Sequence, residues 1–167
     1  MNGYIELAKR DIVRIGIKDE NGNTKLDKDG HEVFIEFDLE DINLLDNYSQ
    51  AISLCEKAGK TLQSELVIIE KKQDSKLNDF ITKNQKAKME SLKKYYQTIE
   101  EAMNLFLGED GFTKIFGKSR YLTMLDDLAK MLEPIMPLLK VNVDNIHKKI
   151  ITKYKQHEDD VLKDENE

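Results

Sequence analysis

The chain has no tryptophan, a single cysteine, three histidines and only two prolines in 167 residues. One cysteine, Cys55, excludes an internal disulfide and gives no reason to place the chain in an oxidising compartment. No apolar run approaches the ~20 residues that cross a bilayer. The opening MNGYIELAKRD lacks the apolar core of a signal peptide. A cytoplasmic protein that does not engage membranes is therefore expected. A basic excess is missing too. Lys and Arg total 26 against 32 Asp and Glu, a net charge of −6, which is the wrong sign for phosphate-driven binding to nucleic acid.

Reactive groupings are equally sparse. His31 sits in a turn signal, His147 in a helical stretch and His157 beside the acidic end, none with a Cys, His or carboxylate at a recurring metal-ligand spacing. Cys55 lies on an apolar helical stripe, where a free thiol is usually inert packing. GEDG and FGKS lack the spacing of a phosphate loop. The expectation is a protein without catalytic, cofactor-binding or metal-binding residues, and not an enzyme.

What the chain does have is charge, at 35% of residues, against 40% hydrophobic. That balance suits long solvated helices better than a thick globular core, in one domain or one small domain with an extended arm. The charge is unevenly spread. Residues 1–50 hold six basic and twelve acidic side chains, whereas Lys57 to Lys94 contains ten Lys against five acids. The last ten residues, EDDVLKDENE, carry six acids and one Lys. Residues 158–167 offer too little apolar surface to offset the entropy of ordering and are expected to be a disordered acidic tail.

Residues 1–38 read as a β-hairpin segment. Val13, Ile15 and Ile17 alternate with polar or small residues, and Val33, Ile35 and Phe37 do the same, giving two strands with one apolar face each. Between them, Asn21-Gly22 and Asp29-Gly30 are dipeptides that accept positive φ, so the connection is long or turns twice. Asp19, Asn21 and Asn23 resemble the front of a calcium loop. The glycine such a loop needs at its sixth position is Thr24, and its terminal glutamate is Gly30, so turns are favoured. An isolated hairpin is marginal in water, so its face must rest on helices or on another subunit. A free strand edge would allow homo-oligomerisation.

Residues 39–157 read as a helical domain. A helix start is expected at Asp38, with Asp41 in a capping-box-like position. Leu45, Tyr48, Ile52, Cys55, Leu62, Leu66 and Ile69 form one stripe, and Leu92, Tyr95, Ile99, Ala102 and Phe106 another. An uninterrupted helix from Leu39 to Leu107 would run roughly 100 Å, so a break between Gln73 and Lys88 is expected, making a long antiparallel helical hairpin. Phe112, Ile115 and Phe116 fall on one face of a short turn of helix closed by Gly117, after which Ser119 is placed to cap a helix carrying Leu122, Leu125, Leu128, Met131, Leu132 and Ile135. Pro134, reinforced by Pro137, should end that helix, with a last one at about Val141–Lys155. The fold class expected is mainly α (α+β): an N-terminal antiparallel hairpin, then a bundle of amphipathic helices.

The strand pair leading into FIEFDLEDINLLDNY, the long charged helix and IEEAMNLFLGEDGFTKIFGKSRYLTMLDDLAKMLEPIM together resemble the tail assembly chaperones of long-tailed bacteriophages of Gram-positive hosts. The most specific stretch runs from Phe106-Leu107-Gly108-Glu109 to Lys114-Ile115-Phe116-Gly117. Some members of that group read Gly-Thr where this chain has Asp110-Gly111. The resemblance covers about Ile12 to Pro137 and is one of residue classes. It implies a non-catalytic protein that coats the aggregation-prone tape measure protein and engages the tail tube protein before being displaced. On that reading Phe106, Phe112, Ile115, Phe116, Leu122 and Leu125 form a helical contact surface, as core or as a client groove. Val13, Ile15, Ile17, Val33, Ile35 and Phe37 set a hairpin that packs or oligomerises. Two other roles fit the same residues: a structural or scaffold component of a phage tail, and a helical adaptor or inhibitor of a host protein.

Overall fold

The computed structural model describes the backbone of residues 7–164 and the side chains of residues 7–155. Two strands, β1 (Ile12–Gly16) and β2 (Phe34–Asp38), precede five helices, α1 (Leu44–Glu70), α2 (Lys83–Leu107), α3 (Gly111–Phe116), α4 (Met124–Leu132) and α5 (Met136–Asp164). The fold is α+β, an N-terminal antiparallel hairpin followed by helices.

The hairpin register places Val13 opposite Phe37 and Ile15 opposite Ile35, so the inward residues of both strands meet on one face. Arg14 lies opposite Glu36 on the other face, 2.7 Å from it and stacked over the Phe34 ring. The connection turns twice, and the two turns are alike. In each, an aspartate (Asp19, Asp27) accepts two backbone N–H groups through its side chain and one from a glycine (Gly22, Gly30) through its carbonyl. Between the turns the chain folds back on itself: Lys25 N–H donates to the Ile17 carbonyl and Val33 N–H to the Lys25 carbonyl. These Asp side chains hold their own turns, which is why the calcium-like spacing has no geometric counterpart around Asp19.

Ile35 and Phe37 are buried in one continuous core with Leu44, Ala51, Ile99, Met103, Phe106, Phe112, Met124, Ile135 and Leu139, while Val13 and Ile15 pack against it half-buried. The hairpin segment and the helical domain therefore share a single interior. Phe106 lies at its centre, its ring 5.3 Å from Phe37 and 5.1 Å from Tyr48.

From this base α1 and α2 run out together as an antiparallel pair: Tyr48 meets Phe106 at one end and Glu70 meets Lys88 at the other. Their connection, residues 71–82, starts two residues before the expected break and is tightly tied. Asn84 donates side-chain hydrogen bonds to the carbonyls of Ile69 and Lys72, satisfying groups at the α1 C-terminus. Asp74 accepts from the N–H of Asn84 and of Ser75, and Thr82 with Gln85 forms a full capping box. At its tip Phe80 is 92% exposed.

Several element ends depart from the sequence expectation. α1 starts at Leu44, not at Asp38. Asp38 and Asp41 each accept a backbone N–H two residues on, building successive turns that delay the helix. Consequently Leu44 and Ala51 are buried and Leu45 is largely exposed. α4 starts at Met124 and not after Ser119, because Arg120 and Tyr121 are held to α2 and α3 in an irregular segment. α5 begins at Met136, with Pro137 in its first turn, where a missing N–H costs nothing. Pro137 thus opens a helix where the sequence suggested reinforcement of a stop. α5 also continues to Asp164, through most of the segment expected to be disordered, since extending an existing helix is far easier than nucleating one. Residues 165–167 of that segment lie outside the described residues.

Two measurements check this arrangement. Phe106→Ala should destabilise the chain by about 3–5 kcal/mol in denaturant melts, whereas Phe80→Ala should change stability by no more than about 0.5 kcal/mol. Asp74 is held below the ordinary carboxylate range, chiefly by the N–H of Asn84. A lowered folded value means its contribution is present above the carboxylate range and is lost as pH falls through that value. Asp74→Ala should lower the melting temperature at neutral pH, with the gap from the parent chain narrowing in acid.

Candidate partner-binding site

α2, α3 and the start of α4 are joined by backbone geometry that leaves little choice of residue. Gly111 packs so closely on Leu107 that an added Cβ would lie 2.5 Å from the Leu107 Cβ, and Gly117 closes α3 at φ 72°, ψ −161°. Asn104 of α2 reaches across to accept the Phe112 N–H at 2.9 Å. α3 is thereby folded back onto α2, placing Phe112 in the core and its ring 4.8 Å from Phe116.

The following segment is anchored by Arg120. Its guanidinium donates to the carbonyls of Gly117 and Ser119, pairs with Glu100 of α2, and lies over the Phe112 ring at 5.1 Å. Tyr96 hydroxyl donates to the Tyr121 carbonyl. Tyr121 therefore stands as a fixed ridge between two open clefts, and its side chain lines both. Burial, and then the carboxylate of Asp127 that accepts its hydroxyl, push its phenol up from its ordinary pKa.

On one side of the ridge, a cleft of about 890 Å³ separates the hairpin from α3 and α4. Ile15, Ile17, Ile115, Phe116, Met131 and Pro134 supply its apolar surface, with Lys18, Asp19, Glu20 and Lys130 around them. Lys25 spans its base, donating to the Ile115 carbonyl at 2.8 Å. On the other side, a groove of about 560 Å³ runs along α2, lined by Met89, Leu92, Tyr96 and Leu122, with Lys93 and Lys118 at its rim. Met89 is 53% and Leu122 76% exposed.

The residues expected to form one helical contact surface are thus divided. Phe106 and Phe112 belong to the core, and Leu125 packs half-buried against it. Ile115 and Phe116 wall the hairpin cleft, while Leu122 projects into the α2 groove, ahead of the helix and off its stripe. Of the hairpin set, Ile35 and Phe37 are interior, Val13, Ile15 and Ile17 pack on the core, and Val33 is half-buried at the turn. The inward residues of both strands pack within this chain, and Ile15 and Ile17 also reach the cleft beside α3 and α4. Met89, Tyr96, Arg120 and Tyr121 were not singled out from the sequence. The i, i+3, i+7 spacing of Met89, Leu92 and Tyr96 carried a signal, but the neighbouring Leu92–Tyr95–Ile99 spacing masked it.

Among the described residues, one trio of side chains could converge on a metal: Asp27, Asp29 and His31, all exposed. Asp27 is committed to its turn, accepting the N–H groups of Asp29 and His31, and the His31 N–H holds its carboxyl below the usual range. The two clefts bring together apolar and charged groups suited to holding a peptide surface. No protein-family model, curated protein or solved structure matches this chain.

Arg120 positions the ridge, so its removal should be felt locally. Arg120→Ala should lower stability by about 1.5–3 kcal/mol, the range for hydrogen bonds to charged groups. Amide exchange across residues 118–122 should accelerate, as followed by mass spectrometry. Arg120→Lys should recover little of this, since an ammonium cannot span the carbonyls and the carboxylate together.

Proposed function

We propose that this protein is a non-catalytic phage tail assembly chaperone that holds apolar helical segments of the tape measure protein and assists polymerisation of the tail tube. The observation that carries this reading is the pair of clefts around Tyr121, where exposed Met89 and Leu122 and half-buried Ile115 and Phe116 are presented by a braced helical frame. An amphipathic helix laid into such a groove buries its i, i+3, i+4 and i+7 residues against α2 and Leu122. Lys93 and Lys118 at the rim favour a client with acids beside its apolar stripe. The resemblance of the Phe106–Gly117 stretch to tail assembly chaperones supports the same assignment.

The chemistry required is modest. Each site contributes limited affinity, and many copies along a repetitive helical client together give tight but reversible coverage. Displacement then needs a competitor that removes the contacts in sequence, which a growing tube supplies. Work of this kind requires no bond-making side chains.

The test is co-expression with a tape measure protein of a long-tailed phage of a Gram-positive host, taken from the genome that encodes this chain. The expected result is a soluble client that co-purifies with this chain, and loss of the complex when Leu122→Asp and Met89→Asp are combined in a chain whose melting temperature is unchanged. An insoluble client and no recoverable complex would remove the proposal.

A further inference from the structure

β1 is hydrogen-bonded to β2 alone, so its other edge is open. The ladder fixes which groups stand on that edge. Leu39 N–H donates to the Asp11 carbonyl and Ile17 N–H to the Val33 carbonyl, so Val13 and Ile15 between them also turn their N–H and C=O toward β2. Ile12, Arg14 and Gly16 turn theirs the other way. Lys18 continues the row, because Ile17 and Asp19 on either side of it are bonded inward, to Lys25 and Asn23. Among the described residues nothing bonds to the backbone N–H or carbonyl of Arg14, Gly16 or Lys18. Gly16, with no side chain to show, is itself exposed.

This open edge borders the hairpin cleft. Of the two strands only β1 lines that cleft, through Ile15, Gly16 and the Ile17 that follows, and the facing wall is Ile115, Phe116, Met131 and Pro134. A row of alternating N–H and C=O groups is met in full only by another extended backbone. A helix has spent its own groups internally and cannot use the row. A strand laid on the edge sends successive side chains to opposite faces. Those beside Ile15 and Ile17 enter the cleft, toward Phe116, Met131 and Pro134, and those beside Arg14 and Lys18 stay outside. Backbone and apolar surface thus ask for the same occupant.

We propose that the hairpin cleft, on the reading above that it is a partner site, takes an extended segment of a partner chain as a third strand on β1. The edge from Ile12 to Lys18 is about 20 Å long, which suits a segment of about six residues. Its alternate residues are apolar, to fill the cleft. The residues between them include acids, because exposed Arg14 and Lys18 share the outer face. The β1 strand of a second copy fits less well, since it brings the same two cations to that face. Tyr121 then separates two modes of holding a partner, a helix in the groove along α2 and a strand against β1.

Residue-resolved amide exchange by NMR, on the full chain alone and with the end-blocked peptide VEVTVE, tests this. In the free chain the N–H groups of Arg14, Gly16 and Lys18 should exchange much faster than those of Val13, Ile15 and Ile17. Millimolar peptide should slow the first three and shift the Met131 methyl signal. Two N-methylated peptides, one modified at the valines and one at the other residues, separate backbone pairing from side-chain contact. One of the two should bind at least about tenfold more weakly, equivalent to about 1.4 kcal/mol, and the other should bind as the parent peptide does. Gly16→Pro removes a donor that bonds to nothing in the chain, so it should abolish binding with the fold retained. Slow exchange at Gly16 and Lys18 in the free chain overturns the proposal, as does a peptide that leaves these amides unchanged or binding indifferent to both methylation patterns. Exchange at Gly16 that slows as the chain alone is concentrated marks a second copy as the occupant and overturns it too. Met89, Leu122 and the tape measure protein take no part, so this outcome and that of co-expression are read separately.

Discussion

The contact of Phe106 with Phe37 and Tyr48 is the constraint on which the remaining architecture depends. It joins the last turn of α2 to β2 and to the first turns of α1, which lie more than fifty residues earlier in the chain. A two-stranded hairpin cannot hold itself together in water, and an extended helical pair has little interior of its own. Each is stable because its apolar end is pressed into the other at this point. Fully buried Met103 and Ile99 extend the same interior along α2, while Met124 and Phe112 bring in α4 and α3. The aromatic groups that looked available for a client are largely occupied in this role, which leaves partner contact to less obvious residues around Tyr121.

Polar ties fix what the apolar core leaves undetermined. Asn142 is 1% exposed and donates both side-chain hydrogen bonds to the carbonyls of Leu39 and Asp41, locking α5 to the irregular entry of α1. At the two ends of α2, half-buried Asn84 donates to the Ile69 and Lys72 carbonyls and half-buried Asn104 accepts the Phe112 N–H. A buried amide left without partners costs ~1–3 kcal/mol, so each tie penalises arrangements that separate its elements. The surface ion pairs, such as Arg10–Asp38 or Lys76–Asp79, are solvated and contribute far less.

Period-two alternation in Val13–Ile17 and Val33–Phe37 was enough to place the hairpin and to choose its inward face, because a strand with one buried side must alternate. The helical stripes likewise placed α1, α2 and the turn of helix at Phe112. Helix ends were far less legible. Asp38 and Asp41 build turns with N–H groups two residues on, and the carbonyls of Leu39 and Asp41 are taken by Asn142, a residue distant in sequence. The Thr82–Gln85 box was readable as a local signature, yet no local feature distinguishes it from other Thr and Gln positions in a lysine-rich run. Leu122 and Phe112 look alike in sequence. Asn104 and the close approach of Gly111 to Leu107 carry Phe112 into the core, while the Arg120 anchor holds the segment from which Leu122 projects.

The bracing of residues 71–82 gives the α1–α2 pair a mechanical character. Asp74, Asn78, Asn84 and the Thr82–Gln85 box leave that far turn no easy way to flex, so the arm is a stiff rod beyond Tyr96, the outermost α2 residue tied to the Arg120 segment. The stretch of α2 from Lys83 to Tyr96 is about 20 Å long, and a tilt of about 10° at Tyr96 sweeps the tip through about 3 Å. Small repacking beneath the arm is therefore amplified at its tip, where a solvent-facing phenyl ring would register it.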